Sequence, residues 1–226
     1  SNVGGSGGSG VTVVGGSVGM AAYSASGRMG VSGCVVSEWL SDSSLRCVSS
    51  DGVGGRLDVV VSVGVQSGSG HGVVSYDAGA VSGGVGVNVA RSGSVHVSVV
   101  GSGYGVEEYS ARGRVGGSAV VRTEWVSDSS VGVMAGAGDR GSLAAVVSVG
   151  LQTGSCSGVV SYDAGVVSGA VSENIGVSGL STVSVVGRGY GSESKSVRVR
   201  VGGSVCGASD WVSDSSVLCG RVGSGV

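Results

Sequence analysis

A repeat of 86 residues organises this chain of 226 residues. The three tryptophans, Trp39, Trp125 and Trp211, are 86 residues apart, and each precedes the same word, x-Ser-Asp-Ser-Ser. A second word, Ser-Tyr-Asp-Ala-Gly, begins at Ser75 and returns 86 residues later at Ser161. Because no insertion or deletion separates these anchors, the sequence predicts a tandem array of one folding unit.

The length of the unit favours a small β-sandwich, which typically has about 100 residues, over a helical or leucine-rich solenoid repeat. Valine is abundant, and its branched side chain packs well on a pleated sheet. Valines alternate with arginines over residues 197–201, as in a half-buried strand. The 49 glycines would make helices costly. The predicted fold class is therefore all-β, with tandem immunoglobulin-like β-sandwiches in an 86-residue repeat.

The predicted domain boundaries lie just after each Ser-Tyr-Asp-Ala-Gly word. Repeat 1 spans residues 1–79, repeat 2 spans residues 80–165 and repeat 3 spans residues 166–226. We expect repeat 3 to be incomplete at its C-terminus and to lack roughly its last two strands, because the counterparts of the long valine-rich strand and the closing word do not appear. An open sheet edge would invite pairing with another chain.

Four of the five cysteines follow the repeat in an all-or-none pattern. Cys34 and Cys47 of repeat 1 correspond to Cys206 and Cys219 of repeat 3, and repeat 2 has valine at both positions. This pattern predicts two disulfides, because a repeat that kept only one cysteine of the pair would have a reactive free thiol. Buried free cysteines are the alternative. A bridge would stabilise the unit by roughly 3 kcal/mol. With two histidines and no Cys-x-x-Cys, a zinc site is disfavoured.

Cys156 is the cysteine without a repeat-matched partner, and it corresponds to Gly70 in a turn rich in glycine and serine. We expect an exposed free thiol at this position. An intermolecular disulfide is the alternative, which makes Cys156 a candidate interface residue.

The motifs of repeat 3 resemble those of a known family. In order they are Gly187-Arg188-Gly189-Tyr190-Gly191, Val199-Arg200-Val201-Gly202-Gly203, Cys206, Trp211 and Cys219. This order is similar to that of the IPT/TIG domain, an immunoglobulin-like fold of plexin-type ectodomains and of tandem arrays in secreted or surface proteins. The resemblance covers essentially the whole chain and implies a secreted or cell-surface protein. Some family members are transcription factors that bind DNA, but their basic recognition loops are not recognisable here.

The chain departs from the family pattern at two places. The family usually has phenylalanine where this chain has Tyr104 and Tyr190, and proline at the joints, where this chain has Gly79 and Gly165. The whole sequence contains neither proline nor phenylalanine.

A basic stripe is the strongest candidate interface. Arg28, Arg114 and Arg200 stand one period apart, and Arg112 and Arg198 precede two of them by two residues. In a stacked array these side chains would line one outward strand face, where they could contact an acidic glycan or a neighbouring subunit. Ordinary solvation of a strand face, which discourages aggregation, is the simpler alternative.

Other repeated residues have structural interpretations that compete with binding. We expect the tryptophans to pack beside the disulfides, as in immunoglobulin-like cores, and a stacking platform for a ligand is the alternative. The aspartate of each Ser-Asp-Ser-Ser word is expected to bond its own turn backbone. Calcium, which takes about six to eight oxygens, is the alternative there and at the joint residues Asp77 and Asp163.

Charge and motif content disfavour several function classes. A net charge of −2 argues against a nucleic-acid partner, which would require a basic face, and against a polybasic membrane-binding segment. No apolar run approaches the length of a membrane span. His71 and His96 occupy different places in the repeat, and the glycine-rich word around Tyr104 opens no helix. We therefore predict no catalytic residues, no metal site and no cofactor.

These observations favour a non-catalytic structural segment of a long extracellular repeat protein, which forms a spacer or a filament. The alternative is a cell-surface adhesion or receptor ectodomain that binds a protein or a glycan. The expected partners are further copies of the chain, other extracellular proteins or glycans, with no nucleic acid and no direct membrane contact. Disulfides persist in oxidising compartments, so the expected location is extracellular or at the cell surface.

Overall fold

The computed structural model describes residues 1–86, 88–171, 175, 181–193 and 197–222. Within these ranges the regular structure consists of strands, and no helix occurs. In particular, the described residues contain no helix that is long and apolar enough to cross a membrane. The all-β prediction is therefore confirmed.

Repeat 1 forms two sheets that face each other. Strands β1, β8, β7, β3 and β4 form one sheet in that order, and β2, β6 and β5 form the other. The short β1 runs parallel to β8, and all other pairs are antiparallel. The bounds are β1 (Asn2–Val3), β2 (Gly10–Val14), β3 (Ser26–Met29), β4 (Ser32–Gly33), β5 (Val36–Ser41), β6 (Ser44–Val48), β7 (Leu57–Val63) and β8 (Gln66–Tyr76).

Repeat 2 has the same plan with one additional strand. Strands β10, β17, β16, β12 and β13 form the first sheet, and β14, β15, β11 and β9 form the second. The bounds are β9 (Ala80–Val85), β10 (Asn88–Val89), β11 (Val95–Ser102), β12 (Arg112–Val115), β13 (Ser118–Ala119), β14 (Arg122–Ser127), β15 (Ser130–Ala135), β16 (Leu143–Val149) and β17 (Gln152–Tyr162).

The described part of repeat 3 contains one four-stranded sheet, in the order β18, β19, β23, β22, and a short hairpin of β20 and β21. The bounds are β18 (Val166–Val171), β19 (Val183–Arg188), β20 (Arg200–Val201), β21 (Ser204–Val205), β22 (Ala208–Ser213) and β23 (Ser216–Gly220).

Alternating valines build the core between the two sheets of each repeat. In repeat 2, Val97 and Val99 of β11 lie beside Val133 and Val131 of the neighbouring strand β15, and all four are at most 1% exposed. Burying a valine side chain is worth about 1.5–3 kcal/mol relative to leaving it exposed. Separate clusters of buried residues form the cores of the three repeats.

The structure contains the two disulfides Cys34–Cys47 and Cys206–Cys219, each with a Cα–Cα distance of 5.5 Å. Cys47 lies on β6, whereas the backbone N–H of Cys34 bonds the Gly27 carbonyl of β3 in the opposite sheet. The bridge therefore ties the two sheets of the sandwich together.

In repeat 2 the place of the bridge is taken by Val120 and Val133. A Cβ on Gly113 would lie 2.6 Å from Val133 and 3.3 Å from Val120. A Cβ on the matching Gly27 would lie 2.8 Å from Cys34 Sγ. The valine pair and the disulfide thus fill the same space against the same glycine, which explains why both cysteines are replaced together.

Candidate functional site

The joint between repeats 1 and 2 is the most specific arrangement of side chains in the described chain. Tyr109 Oη donates a hydrogen bond of 2.9 Å to Asp51 Oδ2 across the joint. The side-chain amide of Gln152 donates to the Tyr76 carbonyl, and its oxygen accepts from the Gly54 N–H at 3.4 Å. Gln152 thus satisfies two backbone groups of repeat 1 at once, and both are partly buried.

Apolar packing completes this joint. Val53 belongs to the β6–β7 loop of repeat 1, yet it packs against the core cluster of repeat 2. It lies 3.3 Å from the position of a Cβ on Gly105 and 3.4 Å from one on Gly150. Both glycines have positive φ, 93° and 59°, so other residues would be strained there. The loop therefore fills a depression whose rim is made of glycine backbone.

Burial and the Asp51 carboxylate together raise the pKa of Tyr109 from 10.0 to about 12. Burial makes the larger contribution, and both effects favour the neutral phenol because a phenolate would lose water and face a negative charge. Tyr109 therefore remains a hydrogen-bond donor throughout the physiological pH range.

The Ser-Tyr-Asp-Ala-Gly tyrosines support both joints from within their own repeats. Tyr76 Oη donates to the Ser50 carbonyl at 3.0 Å, and Tyr162 Oη donates to the Gly136 carbonyl at 2.7 Å. A Cβ on Gly52 would lie 2.8 Å from the Tyr76 ring. The repeated word thus ends the last strand of a repeat. Its tyrosine holds the loop between β6 and β7 in repeat 1 and the loop between β15 and β16 in repeat 2.

Beside the second joint, a side-chain hydrogen bond lies within repeat 2. Arg91 Nε donates a hydrogen bond of 2.8 Å to the Asp163 carbonyl. A small cavity of about 240 Å³ lies beside it, and its lining includes Arg91, Gly138, Asp139 and Tyr190. The counterpart of Tyr109 at this joint is Lys195, which lies outside the described residues.

The repeated aspartate fixes the glycine-rich loop of the neighbouring strand. Asp128 Oδ1 accepts a hydrogen bond of 2.9 Å from the Gly105 N–H, and its carbonyl accepts one of 3.0 Å from the Tyr104 N–H. Asp214 makes the same contacts in repeat 3, where its Oδ1 accepts from Gly191 at 2.8 Å. The turn's own backbone is bonded instead by the Ser127 hydroxyl, at 3.3 Å from the Ser129 nitrogen. We expected this aspartate to bond the backbone of its own turn. That expectation is wrong, because its carboxylate bonds the glycine-rich loop instead.

The tyrosine held by this loop is fully buried. Tyr104 is 0% exposed, and its hydroxyl has no hydrogen-bond partner among the described residues. Burial raises the pKa of Tyr104 from 10.0 to about 12. The hydroxyl of Tyr190 is buried without a partner in the same way. A phenylalanine would fit both sites without an unsatisfied polar atom.

The tryptophans are half-buried on the outermost strands of their sheets. Trp125 packs against the core cluster of repeat 2. The indole N–H of Trp39 donates to the Gly19 carbonyl at 3.2 Å, whereas the indole nitrogens of Trp125 and Trp211 are buried without a described partner. These positions favour packing over an open stacking platform.

The five arginines of the predicted stripe are all exposed. Arg28 lies opposite Val60, and Arg114 lies opposite Val146, on the outer faces of the two five-stranded sheets. Arg112 shares that face opposite Ser148, while Arg198 and Arg200 lie at the β20 hairpin of repeat 3. Within the described ranges none of the five forms an ion pair.

Cys156 is a free thiol that is half-buried rather than exposed. It lies on β17 with Sγ 3.9 Å from the Ser82 carbonyl of β9, and it packs against the core cluster of repeat 2. The expectation of an exposed thiol is therefore wrong, because β9 covers this part of β17.

Titratable residues do not converge elsewhere in the described chain. His71 Nδ1 lies 2.9 Å from Asp58 Oδ2, and this contact, together with the Gly72 N–H, lowers the pKa of the exposed Asp58 carboxyl. Among the described residues, no group of three His, Cys, Asp or Glu side chains is placed to hold a metal ion.

No protein-family model matches the chain, and no curated protein matches it. Among solved structures, the extracellular region of plexin A4 is 14% identical over 100% of the chain, with a TM-score of 0.37. The surface glycan-binding protein PbSGBP-B from Prevotella bryantii is 11% identical over 66% of the chain, with a TM-score of 0.45. The I9–I11 tandem from titin is 8% identical over 98% of the chain, with a TM-score of 0.31.

The chain spans 20% of the plexin chain, 35% of the glycan-binding chain and 86% of the titin tandem. The chain's own strands and sheet pairs establish an all-β array of immunoglobulin-like sandwiches, and its membership of the IPT/TIG family stays a prediction.

Proposed function

We propose that the chain is a non-catalytic structural segment of a long extracellular repeat protein, which acts as a spacer or a filament. The joint between repeats 1 and 2 is the observation that carries this proposal. Two side-chain contacts and one inserted valine, from Tyr109, Gln152 and Val53, connect consecutive repeats. Such contacts oppose bending at the joint, and an array that contacts only its neighbours extends in one dimension.

The proposed domain boundaries agree with this role. β9 follows residue 79 and pairs with β11 of repeat 2, and β18 follows residue 165 and pairs with β19 of repeat 3. Each proposed boundary therefore separates strands of different sheets. The short segments between β8 and β9 and between β17 and β18 leave little slack for independent motion.

The two disulfides support an extracellular or cell-surface location. Cys34–Cys47 and Cys206–Cys219 each connect buried parts of a sandwich, and such bridges persist in oxidising compartments.

Assembly of the intact 226-residue chain tests the structural role. We expect sedimentation velocity to show association that grows with concentration, and electron microscopy to show elongated particles with a constant spacing between repeats. The double variant Val53→Ser/Gln152→Ala should bend at the first joint, whereas Val65→Ser, at a fully exposed hairpin tip, should not. Monomers with freely varying angles between repeats at every concentration would contradict the proposal.

An adhesion or receptor ectodomain is the second candidate, and the unpaired arginines favour it. Exposed guanidinium groups that form no ion pair within the described chain are free to bind carboxylate or sulfate groups of an acidic glycan. We expect Arg112→Gln/Arg114→Gln to weaken binding to a sulfated polysaccharide, and Arg56→Gln, in the loop before β7, to leave it unchanged. Equal binding by both variants, or no binding by the parent chain, would remove this candidate.

A further inference from the structure

The two parallel strand pairs of the described chain join the same two words. Asn2-Val3 of β1 lies beside Ser75-Tyr76 of β8, and Asn88-Val89 of β10 lies beside Ser161-Tyr162 of β17. The Asn-Val word follows the 86-residue period, and its third copy is Asn174-Ile175, whose asparagine lies outside the described residues. Each parallel pair thus connects an early segment of a repeat to the end of its last strand.

In repeat 2, the chain enters the core beside the point where it leaves the core. Val89 is 0% exposed, and among the described residues it is the first buried one after the joint at residue 79. The residues of β9, which precede it, are all exposed or half-buried. Val160 is the last buried residue before β18 begins. The β10–β17 pair therefore joins the first anchor of the repeat to the last one.

Side chains and backbone reinforce this pair beyond the two paired residues. The Asp163 N–H donates a hydrogen bond of 2.9 Å to the Val89 carbonyl. The Ser161 hydroxyl donates to Asn88 Oδ1 at 2.6 Å, and Arg91 Nε donates to the Asp163 carbonyl at 2.8 Å. We call residues 88–91 together with residues 161–163 the parallel clamp.

Repeat 1 has the same arrangement. The Asp77 N–H donates a hydrogen bond of 2.8 Å to the Val3 carbonyl, as Asp163 does to Val89 in repeat 2. Val3 and Tyr76 are each 3% exposed, so both sides of this contact are anchored in the core. The contact is therefore a property of the repeat and is not confined to one copy.

Tension along the array would act on the clamp in shear. Since β10 and β17 run parallel, pulling Ala80 towards the N-terminus and Val166 towards the C-terminus slides the two strands past each other. The bonds between them are then strained together, whereas a hairpin pulled apart at its open end loses its bonds one at a time. β9 is already an extended strand at about 3.3 Å per residue, so its separation from β11 would add little length.

We propose that the parallel clamp transmits tension through each repeat, so that the valine core between the sheets lies outside the path of the force while the clamp holds. The force enters repeat 2 through β9, crosses from β10 to the end of β17, and leaves through β18. Forced unfolding follows the rate of the unfolding step and not the equilibrium stability. The clamp, a small part of the repeat, therefore sets its resistance to extension.

This inference rests on the proposed spacer or filament role only for the source of the tension. The clamp's contacts lie within repeat 2 and do not involve the joint residues Val53, Tyr109 and Gln152. A flexible first joint would contradict the proposed role and leave the clamp intact, and a weak clamp would leave the joint rigid. The two can therefore fail independently.

The test stretches the intact 226-residue chain between its ends in optical tweezers under oxidising conditions. Repeat 2 has no disulfide and releases its whole length, whereas Cys34–Cys47 and Cys206–Cys219 hold back the residues that they enclose, so its unfolding event can be identified. We expect Asn88→Ala/Arg91→Ala to unfold repeat 2 at least about tenfold faster at a fixed force, because two bonds of the clamp are lost.

Val131→Ala is the matched control, because Val131 lies in the core of repeat 2 and outside the clamp. It should lower the urea midpoint more than the clamp variant does and accelerate forced unfolding less. Ser161→Ala removes the side-chain bond to Asn88 from the other strand and should also accelerate forced unfolding. Equal rates for the parent and both clamp variants, or a larger acceleration by Val131→Ala, would overturn the proposal.

Discussion

At the scale of single residues, the buried tyrosines of the glycine-rich loops combine a good fit with an unsatisfied polar atom. Tyr104 is fully buried, and its hydroxyl lies against Gly101, where a side chain would overlap it. An unsatisfied buried hydroxyl costs roughly 1–3 kcal/mol. Tyr76, in contrast, donates its hydroxyl to a carbonyl oxygen. The two tyrosines therefore make a matched pair for measuring that cost.

We predict that Tyr104→Phe raises the free energy of unfolding by about 1 kcal/mol, because it removes the unsatisfied hydroxyl and leaves the ring in place. Tyr76→Phe should lower it by a similar amount, because the Ser50 carbonyl loses its donor. Urea unfolding of the two variants measures both changes. A destabilised Tyr104→Phe would show that the hydroxyl has a partner in solution.

The same residue gives a pH dependence. Burial holds the pKa of folded Tyr104 at about 12, above its ordinary value of 10.0, so the folded state binds this proton more tightly than the unfolded chain does. The resulting stabilisation is complete below pH 10 and is lost as the pH rises towards 12. We predict that Tyr104→Phe loses less stability than the parent over this window in urea titrations at successive pH values. Equal losses would contradict the assignment.

At the scale of elements, the sequence predicted the strands better than it predicted what holds the loops. The 86-residue period and the alternating valines correctly gave the all-β class, because strand periodicity depends on residues that are close in sequence. The all-or-none cysteine pattern identified the two disulfides. The contact from Asp128 to Gly105 joins residues that are 23 apart, one in the turn between β14 and β15 and the other in the loop after β11, and no local pattern marks it.

The hydrogen bonds of Asp128 predict that one carboxylate stabilises the glycine-rich loop around Tyr104. Asp128→Ala should lower the free energy of unfolding by roughly 1–3 kcal/mol, because the N–H groups of Gly103 and Gly105 lose a charged acceptor. Asp128→Asn retains an oxygen acceptor and should cost less. Amide hydrogen exchange at Gly105 should accelerate in the alanine variant. Unchanged exchange there would mean that the loop is held by other contacts.

The valine pair of repeat 2 predicts that the disulfide of repeat 1 can be replaced. Cys34→Val/Cys47→Val should fold with the same sheets, since Val120 and Val133 fill the same space beside Gly113. It should lose up to roughly 3 kcal/mol of stability, the contribution of a loop closure of this size. Thermal unfolding under oxidising conditions checks the loss, and under reducing conditions the variant should be at least as stable as the parent. A variant that fails to fold would contradict the equivalence.

At the scale of the whole molecule, the joints decide whether the repeats act as one array. The Ser-Tyr-Asp-Ala-Gly words predict where the joints lie, but they do not predict which residues make contact across the first joint. Tyr109 and Gln152 recur one period earlier as Tyr23 and Gln66, whereas Val53 is matched by Asp139. The repeat therefore does not distinguish the copies that contact a neighbouring repeat, as Val53, Tyr109 and Gln152 do. Cys156 was misplaced for a related reason, because the strand that covers it, β9, follows the joint.

Residual dipolar couplings of the backbone amides, measured on the intact chain in a weakly aligning medium, test the structural role most directly. If the first joint fixes repeats 1 and 2 relative to each other, one alignment tensor will fit the couplings of both repeats. Separate tensors of different magnitude for the two repeats would show independent motion and contradict the proposed spacer or filament.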